Sequence, residues 1–138
     1  MPISAAKRDE LLAAAREALK HAYAPYSKFY VGAAILTADG KTFTGCNVEN
    51  ASYGLTVCAE RNAIFAAVAA SNVKPQGRIK LVAVAVATEP SVAAAPCGAC
   101  RQVIWEFGSD AVVYYQGENG VKETTIKELL PDGFILAE

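Results

Sequence analysis

Apolar residues at helical spacing predict a first helix near the start of the chain. The pattern follows Ser4, a residue type that caps helices, and the helix should end before Pro25. Its apolar positions are Leu11, Leu12, Ala15 and Leu19. Two strands follow, at 29–37 and 41–47, around an Asp-Gly dipeptide at 39–40 that is typical of a tight hairpin turn. We therefore expect these two strands to pair antiparallel.

The middle of the chain predicts a buried helix followed by a buried strand. Residues 57–70 are apolar on nearly every side and contain no Gly or Pro, which is typical of a helix packed within a domain or between subunits. Residues 79–88 include the run LVAVAV, which is typical of a strand covered on both faces. We expect this helix and this strand to form the centre of the domain.

The last third of the chain predicts a short helix, two strands and a final helical turn. The helix begins near Cys97, directly after Pro96, because proline favours the start of a helix. Strands at 111–115 and 121–125 are separated by too few residues for a parallel return, so they should be antiparallel. A last helix covers 126–130. The whole order predicts an α/β fold of three layers, α/β/α, with a five-stranded mixed sheet.

Length and charge limit the function classes that the chain can serve. A chain of 138 residues without a linker or a repeat fits a single domain over 1–138. The 13 basic and 14 acidic residues lack the excess positive charge that binding to a nucleic-acid backbone needs. The sequence has no signal-peptide pattern and no run of the roughly 18 apolar residues that span a membrane. We expect a cytoplasmic protein without nucleic-acid or membrane partners.

The four cysteines are expected to be free thiols, because the cytoplasm is reducing. Cys97 and Cys100 form a CxxC, a spacing that suits two ligands of a tetrahedral zinc ion but also a redox pair or buried packing. Cys58 begins the central helix as Cys97 begins the next, so the two helix starts could share one metal. Three protein ligands would leave the open position of a catalytic zinc site. Cys46 could fill that position, but we interpret it as buried packing.

Glu60 lies two residues after Cys58 in an otherwise apolar helix. Without the cysteines, it would be interpreted as a carboxylate that the helix start or Arg61 satisfies. Beside an open zinc site, the same carboxylate becomes a candidate for proton transfer. It can take a proton from water on the metal, and burial favours the acid that later returns it.

These motifs resemble those of the zinc-dependent cytidine deaminases. CAE at 58–60 and PCGAC at 96–100 match the zinc motifs of that family, whose wider signature has histidine where this chain has its first cysteine. A three-cysteine site resembles the small homotetrameric type. The single histidine, His21, is interpreted as a solvated residue near the end of the first helix. The resemblance covers, in order, YSKFYVGAA at 26–34, TGCNVENASYGLTVCAERNAIFAAV at 44–68, PCGACRQV at 96–103 and LLPDGF at 129–134.

The resemblance implies a cytidine deaminase-like fold and hydrolytic deamination of free cytidine and deoxycytidine in pyrimidine salvage. One zinc ion per chain would be held by Cys58, Cys97 and Cys100. A zinc hydroxide would attack C4 of the base while Glu60 moves the water proton to N3 and to the leaving amine. Three thiolates leave the bare site negative, so we expect Arg61 to donate to the ligand sulfurs. The alternative for Arg61 is an ordinary pairing with a surface carboxylate.

The substrate contacts follow from the resemblance alone. Asn47 and Glu49 are assigned to the ribose hydroxyls, although Asn47 could equally cap a turn. The other assigned contacts are Phe29 beside the base, Tyr53 reaching a neighbouring site, the Ala59 backbone at the pyrimidine edge, and Phe134 across a subunit boundary. Both phenylalanines could instead be core residues. The resemblance also implies a compact homotetramer with sites shared between subunits, which the alanine-rich central helix suits.

Three alternative functions remain open at this level. Blasticidin-type deaminases share CAE and PCxxC, but the segment NVENASYG at 47–54 is closer to the cytidine enzymes. A non-catalytic, zinc-stabilised binding module is the second alternative, against which Glu60 beside an open zinc site argues. Polynucleotide editing is the third, and the charge balance and the lack of a basic aromatic patch disfavour it.

Overall fold

A five-stranded mixed sheet forms the centre of the computed structural model, which describes residues 3–72 and 78–136. Its strands are β1 Tyr30–Thr37, β2 Thr42–Cys46, β3 Leu81–Glu89, β4 Val112–Gly117 and β5 Gly120–Thr125. The helices are α1 Ala5–Ala18, α2 Ala59–Ala70, α3 Gly98–Phe107 and α4 Ile126–Leu129. Short 3-10 turns lie at Leu19–His21 and Tyr53–Leu55. These bounds confirm the elements that the sequence pattern predicts.

The strands lie in the order β2-β1-β3-β4-β5. Strand β1 pairs antiparallel with β2 and with β3, and β4 pairs antiparallel with β5, as the short connections predict. Strands β3 and β4 are parallel, because α3 provides the long crossover that a parallel return needs. The turn between β1 and β2 contains Gly40 with φ of 87°, a conformation that favours glycine.

Helices cover both faces of the sheet, which confirms the three-layer α/β/α fold. Successive residues of a strand point to opposite faces, so each strand contributes to two cores. Helix α1 packs its buried Leu11 and Ala15 on one face. The core on the other face joins the strands to α2, α3 and α4, through Ile35, Val84, Val113, Ala63, Ile64, Ile104 and Ile126.

Helix α2 lies in direct backbone contact with β2. A Cβ atom placed on Gly45 of β2 would lie 2.5 Å from the nitrogen of Ala63 and 2.6 Å from the oxygen of Ala59. Only glycine lets the two elements approach this closely. The side chain of Asn62 adds a hydrogen bond of 2.8 Å from Nδ2 to the Cys46 oxygen. These contacts fix the first turn of α2, which carries the predicted site residues Ala59, Glu60 and Arg61.

None of the helices in the described part of the chain has the length and apolar character that a membrane crossing requires.

Candidate functional site

The starts of α2 and α3 meet at a cluster of three thiols. Cys58 is the N-cap of α2 and Cys97 is the N-cap of α3, and their Sγ atoms are 3.7 Å apart. Cys100, buried in the first turn of α3, completes the cluster, in which the three Sγ atoms all lie within 4.8 Å of one another. Zinc–sulfur bonds of about 2.3 Å in a tetrahedron place sulfur atoms about 3.8 Å apart, so the cluster fits zinc.

The cluster has three protein ligands and no fourth among the described residues. Cys46 is a half-buried thiol outside the cluster, and burial raises its pKa, so packing describes it better than ligation. His21 is exposed and also lies outside the cluster. A zinc ion held here would keep one coordination position for a small molecule, which distinguishes catalytic from structural zinc sites.

Hydrogen bonds stabilise negative charge on the sulfur of Cys58. Its pKa falls to about 5, because of a hydrogen bond from the Cys100 thiol first and then one from Arg61, while burial opposes the shift. Arg61 Nη2 lies 3.4 Å from Cys58 Sγ. The pKa of Cys100 rises, because the thiol keeps the proton that it donates to Cys58. The structure therefore brings Arg61 to the sulfur that the sequence predicts as its partner.

Glu60 is a buried carboxyl beside the cluster, with 4% of its surface exposed. Burial raises its pKa to about 7, and the negative charge of Cys58 acts in the same direction. A carboxyl with a pKa near neutral can both accept a proton and return it at physiological pH. The helix start places this group in the wall of a cavity, together with Cys58 and Cys97.

The cavity has a volume of about 230 Å³. Its wall includes two cysteines of the thiol cluster and residues near the start of β1 and after the end of β2. The predicted site residues in its wall are Phe29, Asn47, Glu49, Cys58, Ala59, Glu60 and Cys97. Val31 and Val86 add apolar surface, whereas Thr56 and Thr88 add hydroxyl groups. The cavity therefore combines apolar surface with a few polar groups, as small-molecule sites usually do.

Asn47 connects the cavity wall to the backbone of β1. Its Oδ1 accepts from the nitrogen of Val31 at 2.9 Å, and its Nδ2 donates to the oxygen of Phe29 at 2.8 Å. An amide has two donor hydrogens and two lone pairs, so one of each is left for a ligand. Asn47 thus holds the position of Phe29 and keeps some hydrogen-bonding capacity.

Glu49 is held as an anion in the wall of the same cavity. Its Oε1 accepts from the nitrogens of Tyr26 at 2.9 Å and Ser27 at 3.2 Å, and its Oε2 accepts from the Ser27 hydroxyl. These hydrogen bonds, above all the one from the Ser27 hydroxyl, lower its pKa. An ionised carboxylate with remaining lone pairs suits hydroxyl donors of a ligand.

Ser27 is a cavity residue that the sequence interpretation missed. Its hydroxyl donates to Glu49 and accepts from the nitrogen of Phe29 at 3.0 Å, so it fixes both neighbours. The only indication of a functional role in the sequence was that Ser27 lies in the stretch at 26–34 that resembles the family. No local periodicity marks such a residue, since its role depends on the contact with Glu49.

Tyr53 and Phe134 lie outside the cavity of their own chain. Tyr53 is 75% exposed, and its ring meets that of Tyr26 edge to face at 6.2 Å between centroids. Phe134 is 62% exposed, and its backbone oxygen accepts a hydrogen bond from Gln102. The structure therefore brings Phe29 to the cavity but leaves these two aromatic rings on the surface.

Comparison with known proteins agrees with this geometry. Residues 5–116 match the family model described as the cytidine and deoxycytidylate deaminase zinc-binding region. The chain is 44% identical to a cytidine deaminase of Sporosarcina psychrophila over 128 residues, which are 91% of this chain and 90% of the relative. It is 46% identical to a cytidine deaminase of Halalkalibacterium halodurans over 129 residues, 92% and 93% of the two chains.

A solved structure extends the similarity to the fold. The crystal structure of a cytidine deaminase from Burkholderia pseudomallei superposes with a TM-score of 0.80 at 50% identity, over 91% of this chain and 98% of that chain. The family match spans the cavity wall, Glu60 and all three clustered cysteines. By its sequence, its fold and its zinc-binding thiols, this chain belongs to the cytidine and deoxycytidylate deaminase family.

Proposed function

We propose that this chain is a zinc-dependent hydrolase that converts free cytidine and deoxycytidine to uridine and deoxyuridine, in pyrimidine salvage. The observation that carries the proposal is the buried carboxyl of Glu60 in a cavity beside three thiols with an open ligand position. Relatives that are 44% and 46% identical to this chain bear the name cytidine deaminase, which supports the same reaction here.

Cys58, Cys97 and Cys100 would hold one zinc ion in each chain. Bound zinc supplies a hydrolytic nucleophile near neutral pH by lowering the pKa of water. Arg61 offsets the negative charge of the thiolates by donating to Cys58. In the described part of the chain, Arg61 belongs to none of the ion pairs, which supports this role over pairing with a surface carboxylate.

Glu60 would act as the proton carrier of the reaction. Its pKa of about 7 lets the carboxylate accept a proton from the attacking water and deliver protons to N3 of the base and to the departing amine. The first turn of α2 is rigid, because Gly45 and Asn62 fix it against β2. Such a fixed carboxylate lies close to the reacting atoms without further rearrangement.

The rest of the cavity wall would orient the nucleoside. Phe29 packs beside the base, and the backbone of Ala59 binds the edge of the pyrimidine. Asn47 and Glu49 bind the sugar hydroxyls with the hydrogen-bonding capacity that their structural contacts leave free. Because Glu49 is anionic, a 5′-phosphate at the sugar end is disfavoured.

We propose further that the protein is a homotetramer in which Tyr53 and Phe134 act at the cavity of a neighbouring subunit. Both rings are largely exposed and outside the cavity of their own chain. The outer face of α2 also exposes Phe65, with 48% of its surface accessible, next to small alanines that suit close packing. The single domain over 1–138 and a cytoplasmic location complete the proposal.

Subunit complementation tests the shared site. Chains with Glu60→Gln and chains with Phe134→Ala are both expected to be nearly inactive alone. Co-expressed as mixed oligomers, they should regain part of the activity, since some cavities then combine an intact Glu60 with a neighbour's intact Phe134. If Phe134 served its own chain, no mixed oligomer would contain an intact site, and activity would stay at the level of the single variants.

Steady-state kinetics on cytidine, deoxycytidine, CMP and blasticidin S, with metal analysis of the same sample, test the reaction itself. We expect turnover of both nucleosides, weak turnover of CMP and blasticidin S, and one zinc ion per chain. Zinc-loaded protein without nucleoside turnover would contradict the proposal and would favour a non-catalytic binding module. A preference for blasticidin S would identify the alternative deaminase type.

A further inference from the structure

The side chain of Arg101 connects the zinc-ligand turn to the C-terminal segment. Its Nε donates to the oxygen of Pro96 at 2.8 Å, and its Nη1 donates to the oxygen of Leu129 at 2.9 Å. Arg101 directly follows Cys100 in α3, and Pro96 directly precedes Cys97. One guanidinium therefore links the carbonyl group directly before Cys97 to the carbonyl group of Leu129, which lies 28 residues after Arg101. In the described part of the chain, Arg101 belongs to none of the ion pairs.

Both acceptors are carbonyl groups that regular structure leaves without a partner. The hydrogen bonds of α3 start at the oxygen of Cys97, which accepts from the nitrogen of Arg101, so the Pro96 oxygen lies outside the helix. Pro96 itself is fully buried. Leu129 is the last residue of α4, and the final carbonyls of a helix have no donor within it. Removing Arg101 would leave a buried carbonyl unsatisfied directly before Cys97.

The far end of this connection is itself held firmly against α3. A Cβ atom on Gly133 would lie 2.8 Å from Cδ2 of Trp105, so the segment after α4 crosses the indole in close contact. Gln102 adds a hydrogen bond of 3.1 Å from Nε2 to the oxygen of Phe134. These contacts hold the C-terminal segment around Leu129 in place. The two hydrogen bonds of Arg101 then fix the peptide group between Pro96 and Cys97 relative to that segment.

We propose that Arg101 is a positioning residue of the zinc site, which holds Cys97 at the distance from Cys58 and Cys100 that the metal needs. Zinc–ligand distances in proteins lie within about 0.2 Å of their usual values, so a ligand that is held loosely weakens binding. The inference rests on zinc binding by the three cysteines, and it does not depend on which nucleoside is the substrate.

The test is the zinc affinity of the full chain, measured by competition with a coloured chelator. Arg101→Gln should weaken zinc binding by about 10- to 100-fold, the usual effect of losing a group that orients a ligand. Arg101→Lys keeps the charge but cannot reach both carbonyls, so its affinity should lie between those of wild type and Arg101→Gln. Absorption of the cobalt-substituted protein should change in the same order, because it reports ligand geometry.

Two matched variants separate positioning from general stability. Arg78→Gln removes an arginine that donates to the Glu106 oxygen at 2.9 Å, near the other end of α3, and should leave the zinc affinity unchanged. Lys127→Gln removes an exposed ion pair of 2.8 Å between α4 and Asp110 and should also bind zinc normally. A purely structural Arg101 would lower the stability of metal-free and zinc-loaded protein equally and leave the affinity intact, which would overturn the proposal. Wild-type protein that binds no zinc would instead contradict the proposed function.

Discussion

Cys58 and Cys97 lie 39 residues apart in the chain, yet their Sγ atoms are 3.7 Å apart. Each is the N-cap of its helix, so the partial positive charge of two helix starts favours the thiolates at one point. The separation matches the distance of about 3.8 Å between two thiolates on one tetrahedral zinc ion. The two helix starts therefore bring these thiols to the spacing that zinc needs.

Serine in place of Cys58, Cys97 or Cys100 should remove zinc and activity together, because a hydroxyl does not replace a thiolate ligand. Zinc per chain, measured by elemental analysis, should fall close to zero in each variant. Cys46→Ser is the matched control, since Cys46 lies outside the cluster, and it should keep its zinc. Full zinc in all three cluster variants would disprove the assignment of the ligands.

Glu60→Gln should lower kcat by about 10² to 10⁴-fold, because glutamine keeps the size of the side chain but cannot carry the proton. Zinc content and mass in solution should not change. Glu118→Gln, in the exposed turn between β4 and β5, should retain full activity as the control. If Glu60 served only the fold, the variant would lose stability or assembly while each zinc-loaded subunit turned over nearly normally.

Arg61→Gln should make the protein release zinc at a higher pH. The Arg61 guanidinium is one of the groups that lower the pKa of Cys58, so its removal raises that pKa. Protons then compete with zinc for the sulfur at a pH where the wild-type thiol is already ionised. Zinc retained after dialysis across a pH series gives the midpoint of release. Arg16→Gln, which changes an exposed residue of α1, should leave the midpoint of release unchanged. An unchanged midpoint in Arg61→Gln would contradict the sulfur contact.

Gly45→Ala should destabilise the protein by about 1–3 kcal/mol, the usual cost of forcing a methyl group into packed structure. The new Cβ would lie 2.5 Å from the nitrogen of Ala63, so α2 must move away from β2. Because α2 carries Cys58 and Glu60, kcat per bound zinc should also fall. Urea denaturation and kinetics measure the two effects. Gly54→Ala is the control for stability, since apart from its own chain neighbours nothing in the described part of the chain lies within 4 Å of the new methyl group.

The fold was predictable from the chain wherever a pattern is local. The helical spacing after Ser4, the buried run at 79–88 and the short turn before β5 each predict an element that the structure contains. The start of the central helix was predicted at residue 57, whereas α2 begins at Ala59, because Cys58 is the N-cap and has an extended backbone. The sequence pattern did not identify β3 and β4 as a parallel pair, because that pairing depends on the order of all five strands in the sheet.

The chemistry of the site was local within each motif. CAE places Cys58 and Glu60 within one helical turn, and PCGAC places Cys97 and Cys100 within another, so the two motifs predict zinc ligands with a carboxyl beside them. The resemblance to a family added Phe29, Asn47 and Glu49, which the structure places in one cavity. Their roles toward a nucleoside stay predictions, as do those of Tyr53 and Phe134.

The sequence by itself determined which groups can bind zinc and carry protons, because those properties belong to residue types and to spacings within a turn. Only the tertiary structure decided that two helix starts meet and that burial raises the pKa of Glu60 to about 7. It also decided that Arg101 reaches the oxygen of Leu129 across 28 residues. Contacts of this kind depend on the packing of α3 and α4 on one face of the sheet, and no periodicity in the chain encodes that packing.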